Sequence, residues 1–402
     1  MPGHVAHSAN TPPYRPPGYV LPLIVLSQFC GTSLWFASNG IIGELTASFG
    51  LPAAALGYLT SAVQLGFIAG TLLFALLTLA DRYSPSRLFF GCALLGALAN
   101  LGLGLGQHTL TSLLLLRFVT GFFLAGIYPV GMKIASDYFG KGLGTSLGYL
   151  VGALVLGTAL PHLLRWAQIG NSWEGVLWAT SGLAALGGMA MAFLPDGPFH
   201  RKMQAPEWGA FLQVFRDRQF RASAFGYFGH MWELYAFWAF VPVLLREYAA
   251  QSAGWEYSPS LWAFYILGIG GPACVLGGYL SRKWGARAVA RTALVASGCC
   301  CLLAPFAFSC PPPVFLGFLL FWGMVVIADS PLLSTLVAQS APADRKGTAL
   351  TIATSIGFAI TIVSIESLSA LLQSWDSPLA YLLLAMGPAL GVVALGRTPG
   401  QS

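Results

Sequence analysis

The chain has 402 residues, of which 56% are hydrophobic and only 8% are charged, and its formal net charge is +6. An ordinary soluble domain carries about 25% charged residues, so this chain has too few of them to cover a large core with a hydrated exterior. The composition excludes a water-soluble globular protein and indicates that most of the surface faces lipid.

The first 18 residues, MPGHVAHSANTPPYRPPG, are proline-rich and are predicted to be a disordered cytoplasmic tail. They lack the strongly basic start and the small-residue cleavage site of a signal peptide. From residue 19 onward apolar runs dominate, and a bilayer core requires about 20 such residues per helix. These runs predict twelve spans, at residues 19–42, 53–79, 88–106, 111–134, 144–165, 174–194, 220–245, 260–280, 288–308, 313–336, 347–371 and 378–396.

The longest loop divides the predicted spans into two groups of six. We expect an N-terminal six-helix bundle at 19–195, a cytoplasmic linker at 196–219, a C-terminal six-helix bundle at 220–396 and a short cytoplasmic tail at 397–402. Within the linker, Trp208, Leu212 and Phe215 share one helical face, which predicts an interfacial helix on the membrane surface. An unstructured linker is the alternative.

The basic residues are distributed unevenly between the two sides of the predicted membrane. All of them except Arg117, Arg165 and Arg246 lie in or beside the two tails and the loops that follow even-numbered spans. Because basic loops stay in the cytoplasm, this asymmetry predicts that both termini are cytoplasmic. The positive net charge therefore reflects topology and does not indicate a nucleic-acid partner.

The two halves of the chain repeat each other at an offset of about 200 residues. The loop LADRYSPSR at 79–87 aligns with YLSRKWGAR at 279–287, and Pro129, near the end of the fourth predicted span, aligns with Pro331, near the end of the tenth. Two six-helix repeats placed side by side are typical of secondary transporters, whose binding site lies at the repeat interface near mid-membrane.

The loop after the second predicted span resembles the motif G-x-x-x-D-R-x-G-R-R/K of the major facilitator superfamily. Asp81 and Arg82 match the motif, whereas Leu77 and Ser84 replace its glycines and Arg87 falls one place beyond its basic pair. On this loop and the repeat, the chain is similar to a major facilitator superfamily transporter over residues 19–396. The resemblance implies an all-α membrane protein with two six-helix bundles related by a pseudo-twofold axis.

Two further segments bear on the resemblance. RFVTGFFLAG at 117–126 resembles the family's fourth-helix pattern R-x-x-x-G through Arg117 and Gly121. The fifth-helix exporter pattern G-x-x-x-G-P-x-x-G-G is half present, because Gly148 and Gly152 match but Ala153 replaces its proline. This departure counts against a drug antiporter.

The resemblance implies that the first, fourth, seventh and tenth helices line a central cavity. On the first helix, four polar or aromatic residues recur at i, i+4, i+7 and i+11, which is one stripe of an α-helix. The other three helices also carry polar or aromatic residues at helical spacing. The predicted lining of the substrate cavity comprises Gln28, Thr32, Trp35, Asn39, Arg117, Tyr128, Tyr227, Trp238 and Trp322.

The seventh predicted span contains FGHMWELYAFWAF at 228–240, an apolar segment that carries His230 and Glu233. A charge at the bilayer centre costs at least about 2.5 kcal/mol, so Glu233 must face a cavity or a partner. His230, one turn away, can share a proton with it. We predict that Glu233, His230 and Asp329 couple transport to protons; the alternative is that they only hold helices together.

Asp329 precedes Pro331, which predicts a local break in the tenth helix. The alternative is that Asp329 is a solvated gate residue.

Arg117 and the loop at 79–87 are the remaining candidates for a functional role. Arg117 can bind an anionic substrate, or it can neutralise Glu233 or Asp329 in one state of the cycle. For the loop, the resemblance implies that Asp81 helps to hold the outward-facing state; the alternative is that these charges only fix topology. The predicted gating residues are Asp81, Arg82, Arg87, Arg282 and Arg287.

These features predict a secondary active transporter that moves a small organic solute by alternating access and is coupled to protons. Symport of an organic anion is favoured; proton-antiport efflux of amphipathic compounds, or a non-transporting accessory or sensor protein, are alternatives. No catalytic motif, Walker loop or metal-ligand pattern is found, so we expect neither an enzyme nor a cofactor. The expected partners are the solute, H⁺ and the lipid bilayer of a bacterial inner membrane, and one chain should be functional as a monomer.

Overall fold

The computed structural model describes residues 16–139, 143–199, 214–252, 255–342, 346–375 and 377–396. Within these ranges every regular element is a helix. The predicted interfacial helix lies largely outside the described residues, where only a short 3-10 turn at Val214–Arg216 is seen. Most of the N-terminal tail and the tail at 397–402 also lie outside them.

The described helices follow the predicted order of twelve spans, which are numbered here in chain order. In the first half they are Val20–Thr32 with its continuation Ile42–Phe49, Ala55–Leu76, Pro85–Gly102, Leu110–Leu124 with Tyr128–Tyr138, Leu143–Trp166, and Glu174–Ala192. In the second half they are Arg218–Gln251, Pro259–Gly268 with Gly270–Trp284, Ala286–Ala307, Pro312–Ala328 with Ser330–Ser340, Lys346–Ser374, and the 3-10 segment Pro378–Ala385 with Met386–Gly396.

Ten helices in the described ranges are long and apolar enough to cross a membrane. The first and third spans are outside this set: Val20–Thr32 has only 13 residues, and Pro85–Gly102 carries Arg87 and Asn100. The all-α membrane architecture predicted from the sequence is confirmed.

The first span is not the continuous helix predicted at 19–42. Its α-helix ends at Thr32, and the chain continues through turns to a 3-10 segment at Asn39–Ile41. Two side-chain interactions explain the break: Ser33 Oγ donates to the carbonyl of Cys30 at 2.7 Å, and the Arg117 guanidinium binds the carbonyl of Trp35. Because a carbonyl bound by a side chain is less available to the backbone hydrogen bonds of the helix, the α-helical pattern is interrupted here.

The fourth and tenth spans are each divided into two helices at equivalent places. In both, a proline lies in the first turn of the second helix: Pro129 in Tyr128–Tyr138 and Pro331 in Ser330–Ser340. Proline fits the first turn of a helix because it has no N–H to pair there. The break predicted at Asp329 is confirmed, and the matching geometry supports the internal repeat.

The two halves meet along two seams. At one, the second span packs against the eleventh, and a Cβ placed on Gly57 would lie 3.1 Å from Ser369 Oγ. At the other, the fifth span packs against the eighth, and a Cβ placed on Gly152 would lie 3.2 Å from the carbonyl oxygen of Gly271. Small residues at both seams let the helices approach closely, as is common between membrane helices.

Within the first half, the second and fourth spans pack backbone against backbone. A Cβ on Gly66 would overlap the carbonyl oxygen of Phe118. We therefore expect Gly66→Val to lower the free energy of unfolding by about 3 kcal/mol, the upper range for overpacking, measured by thermal unfolding in detergent. Gly91→Val in the third span is the control, because nothing lies within 4 Å of a Cβ there. Equal losses in both variants would show that helix propensity, not packing, sets the effect.

Candidate functional site

Aromatic rings from both halves fill the centre of the molecule. Trp35 stacks on Phe358 of the eleventh span, with 5.7 Å between ring centroids, and lies 5.9 Å from the ring of Tyr235 on the seventh. Phe67 of the second span lies 4.4 Å from Phe358. We call this set the central aromatic cluster; its members are Trp35, Phe36, Phe67, Tyr128, Tyr235, Trp238 and Phe358.

The predicted stripe on the first span is dispersed by the break after Thr32. The Thr32 hydroxyl donates to the carbonyl of Gln28 at 2.8 Å, and its Oγ1 lies against Gly157 of the fifth span. Asn39 donates instead to Thr60 Oγ1 on the second span at 2.9 Å. Neither of these contacts is made with a ring of the central aromatic cluster, and a cavity-lining role for Thr32 and Asn39 stays a prediction.

Two predicted cavity residues of the first span keep central positions. Trp35 is in the central aromatic cluster, and its indole N–H donates to Gln64 Oε1 at 3.2 Å. Gln28 is fully buried with its Oε1 against Gly131 of the fourth span. Neither amide atom of Gln28 has a hydrogen-bond partner within the described chain. An unpaired buried amide is costly, and the role of Gln28 in lining the substrate cavity stays a prediction.

Of the predicted tyrosines, Tyr128 belongs to the central aromatic cluster and Tyr227 lies beside the buried histidine. The rings of Tyr128 and Trp35 are 6.3 Å apart and perpendicular. The ring centroids of Tyr227 and His230 are 6.5 Å apart. A Cβ placed on Gly357 of the eleventh span would lie 2.5 Å from the ring of Tyr227. The two tyrosines thus bring the fourth, seventh and eleventh spans toward one region.

Arg117 is fully buried and binds the broken part of the first span. Its Nη1 donates to the carbonyl of Leu34 at 3.1 Å and its Nη2 donates to the carbonyl of Trp35. Across the described ranges, Arg117 forms no ion pair with a carboxylate. The pairing with Glu233 or Asp329 considered from the sequence is therefore absent from this conformation, and a buried positive charge is held by backbone carbonyls alone.

His230 and Asp329 form a buried pair between the seventh and tenth spans. His230 Nδ1 lies 2.9 Å from Asp329 Oδ1, and each side chain is 1% exposed. The second ring nitrogen, Nε2, has no hydrogen-bond partner among the described residues. The pair lies where the tenth span is broken, so the helix junction places the carboxyl of Asp329 against the histidine.

Glu233 is also buried, but its partners differ from the prediction. Its Oε1 accepts hydrogen bonds from Trp322 Nε1 at 2.7 Å and from Cys301 Sγ at 3.2 Å, and its Oε2 accepts from Ser297 Oγ at 2.9 Å. None of the hydrogen bonds described for this carboxyl comes from His230. The expected Glu233–His230 contact is therefore replaced by bonds to the ninth and tenth spans.

The seventh span is thus joined to the tenth at two levels, through Glu233 and Trp322 and through His230 and Asp329. The sequence prediction missed Ser297 and Cys301. Their spacing of four residues puts both on one face of the ninth span, and this is the signal that could have found them. Trp238, the last predicted lining residue, contributes its ring to the central aromatic cluster.

The sequence profile of the Major Facilitator Superfamily matches residues 24–365. This chain belongs to the major facilitator superfamily. It is 28% identical over 242 residues to "Putative uncharacterized transporter YgaY" of Escherichia coli (strain K12), which covers 56% of this chain and 59% of the relative. It is 29% identical over 185 residues to "Uncharacterized transporter YgaY" of Escherichia coli O157:H7, covering 44% of this chain and 45% of the relative. The chain thus spans about half the length of these curated relatives.

Membership of the major facilitator superfamily confirms the fold predicted from the sequence, two six-helix bundles related by a pseudo-twofold axis in a multi-pass membrane protein. The seams described above, second against eleventh and fifth against eighth, join these bundles. The central aromatic cluster contains rings of both bundles, whereas the buried groups of the seventh span contact the ninth and tenth spans.

The motif loop of this major facilitator protein makes its main contact with the fourth span. Asp81 Oδ1 lies 3.2 Å from Lys133 Nζ, and Lys133 also lies 3.2 Å from Asp137 Oδ2 one turn later. Arg82 Nε donates to Thr78 Oγ1 at 3.2 Å. Arg87 is exposed at the start of the third span.

The repeated loop in the second half has a different environment. Arg282 lies over the ring of Tyr279, with Cζ 5.0 Å from its centroid, and is exposed, whereas Arg287 is partly buried near the start of the ninth span. The aligned loops therefore share position and charge, but the acidic contact described here belongs to the first half.

At the opposite end of the helices from the motif loop, further polar contacts join neighbouring spans. Ser61 Oγ donates to Glu366 Oε1 at 2.5 Å across the seam between the second and eleventh spans. Arg165 Nε donates to Glu44 Oε1, also at 2.5 Å, and joins the fifth span to the continuation of the first. Glu44 and Ser61 carried no signal in the sequence, because single polar residues near helix ends are commonly solvated.

Proposed function

We propose that this protein is a secondary active transporter that moves a small organic solute by alternating access and couples the movement to protons. Symport of an organic anion is the version favoured by Arg117, a permanent buried charge that no described carboxylate neutralises. A guanidinium binds carboxylates and phosphates through parallel hydrogen bonds. In this proposal its bonds to the carbonyls of Leu34 and Trp35 are exchanged for the solute during the cycle.

One observation carries the proton-coupling part of the proposal. Glu233, His230 and Asp329 are three titratable side chains, each about 1% exposed, on two facing spans of the second half. Ionisable groups inside a membrane are costly and usually mark proton or substrate pathways. His230 Nδ1 contacts Asp329, and Nε2 has no partner among the described residues, which supports a role for His230 in passing the proton on.

The central aromatic cluster favours a second candidate function, proton-antiport efflux of amphipathic compounds. Rings from both halves offer apolar, flat surfaces on which such compounds can stack. The half-present exporter pattern of the fifth helix, in which Ala153 replaces proline, weighs against this alternative. A non-transporting accessory or sensor role is the outcome expected if neither direction of transport is found.

The membrane, the orientation in it and the oligomeric state are also part of the proposal. The basic loops support an orientation with both termini in the cytoplasm, and relatives from Escherichia coli support a bacterial inner membrane. We propose bundles at 19–195 and 220–396, joined by a linker at 196–219, that act together as a functional monomer.

The test compares small molecules inside cells and in the medium for strains that lack the protein, express it, or express Glu233→Gln. We expect one solute to accumulate or be expelled only with the wild-type protein, and Glu233→Gln to reduce uphill movement at least about tenfold while exchange of the solute persists. Glu256→Gln is the matched control, because Glu256 is exposed in the loop after the seventh span. Wild-type movement with Glu233→Gln would rule out coupling through this carboxyl; no difference in any solute would favour the accessory role.

A further inference from the structure

The two carboxyl oxygens of Glu233 have unequal surroundings. Oε1 accepts from the indole N–H of Trp322 and from the thiol of Cys301. An indole nitrogen can only donate a hydrogen bond, so Oε1 is held as an acceptor. Oε2 contacts Ser297 Oγ at 2.9 Å. A proton on Glu233 therefore belongs on Oε2, facing Ser297.

Ser297 can satisfy Oε2 in either protonation state. A hydroxyl has one donor and two acceptor sites, and Ser297 Oγ also lies 3.2 Å from the carbonyl oxygen of Leu294 on its own helix. When Glu233 is ionised, the hydroxyl donates to Oε2. When Oε2 carries a proton, that O–H donates to Ser297 Oγ, and the Ser297 hydroxyl turns to the carbonyl of Leu294. Both arrangements use only atoms within hydrogen-bond distance.

We infer that Ser297 is a positioning residue that lets Glu233 bind and release a proton at Oε2 without leaving a buried polar atom unpaired. The inference rests on the proposed proton coupling and assigns it to one atom. An unpaired buried donor or acceptor is costly, so a rotating hydroxyl lowers the free-energy difference between the ionised and the protonated state of Glu233. The proton comes from and returns to water, and no other reactant is required.

Other titratable groups surround Glu233. Asp329 of the tenth span and the thiols of Cys300 and Cys301 on the ninth lie within electrostatic range of its carboxyl, and Asp329 in turn is paired with His230. Ser297 differs from Trp322 and Cys301 because it contacts Oε2 and has a backbone acceptor in reach. A substitution of Ser297 therefore changes the surroundings of Oε2, the oxygen that carries the proton, whereas Oε1 keeps its hydrogen bonds from Trp322 and Cys301.

The test is the infrared difference spectrum of the purified full-length protein in lipid, recorded as pH is varied. The C=O stretching band of protonated Glu233 is assigned by its loss in Glu233→Gln. In Ser297→Ala, where Oε2–H has no hydroxyl acceptor, we expect this band to shift to higher frequency. Ser297→Thr, which restores a hydroxyl, should return the band to its wild-type position, and Ser297→Cys, with a weaker acceptor of similar size, should lie between them.

Each outcome separates the positioning role from proton coupling itself. A Glu233 band that is present but identical in wild type, Ser297→Ala and Ser297→Cys would overturn the role of Ser297 and leave proton binding at Glu233 standing. A wild-type protein without any pH-dependent band that is lost in Glu233→Gln would overturn both. Thermal unfolding of each variant checks that the fold persists, and Ser297→Cys provides the comparison if Ser297→Ala is unstable.

Discussion

Asp329→Ala is expected to lower the free energy of unfolding by about 3 kcal/mol, the upper end of the cost of leaving a buried polar group without its partner. Asp329 Oδ1 lies 2.9 Å from His230 Nδ1, both side chains are buried, and His230 Nε2 already lacks a partner in the described chain. Removing the carboxyl thus leaves an imidazole with two unsatisfied nitrogens inside the protein. Uphill transport should be lost at the same time, because the proposed proton pathway is interrupted.

A double-mutant cycle in detergent measures this interaction directly. When His230→Ala is already present, Asp329→Ala should cost at most about 1 kcal/mol, giving a coupling free energy of about 2 kcal/mol, within the range for contacting buried residues. Additive losses would show that the two side chains are stabilised independently.

Arg117→Met is expected to abolish uphill transport while changing the free energy of unfolding by less than about 1.5 kcal/mol. The substitution removes two hydrogen bonds to the carbonyls of Leu34 and Trp35, but it also removes a buried charge that no described carboxylate balances. Removing an uncompensated buried charge recovers its desolvation cost, which offsets the loss of the two hydrogen bonds. A large functional loss with little structural loss would support a role in binding or coupling.

The companion variants are Arg117→Lys and Arg87→Met. Lysine keeps the charge but presents a compact ammonium instead of a planar fork, so we expect partial transport at most. Arg87→Met removes an exposed arginine from the start of the third span and should leave transport unchanged. If Arg117→Met unfolds the protein, the arginine holds the broken first span in place and its role is structural.

The sequence predicted the architecture well because membrane helices leave a strong one-dimensional signal. Long apolar runs, basic loops and the repeated landmarks Pro129 and Pro331 were sufficient for the order of the spans and for the break at Asp329. These features depend on local composition and on the missing N–H of proline. They do not require knowledge of which helices touch.

The candidate site was predicted less completely because its geometry depends on contacts between distant segments. The break after Thr32 is associated with Arg117, 85 positions later, so helical periodicity on the first span could not reveal it. Likewise, Glu233 is bound by Ser297 of the ninth span and not by His230 on its own helix. Which face of a buried helix meets which neighbour is decided by packing, and one sequence does not contain that information.

The central aromatic cluster has a consequence for the protein at rest. Opening the centre to either side separates rings of the first and second spans, such as Trp35 and Phe67, from Tyr235 and Phe358. Each ring pair contributes about 0.5–1.5 kcal/mol beyond the area it buries. A hydrated inorganic ion cannot replace these contacts, whereas an organic molecule with a flat face can. We therefore expect the closed rings to act as a seal that keeps the unloaded protein from leaking ions across the membrane.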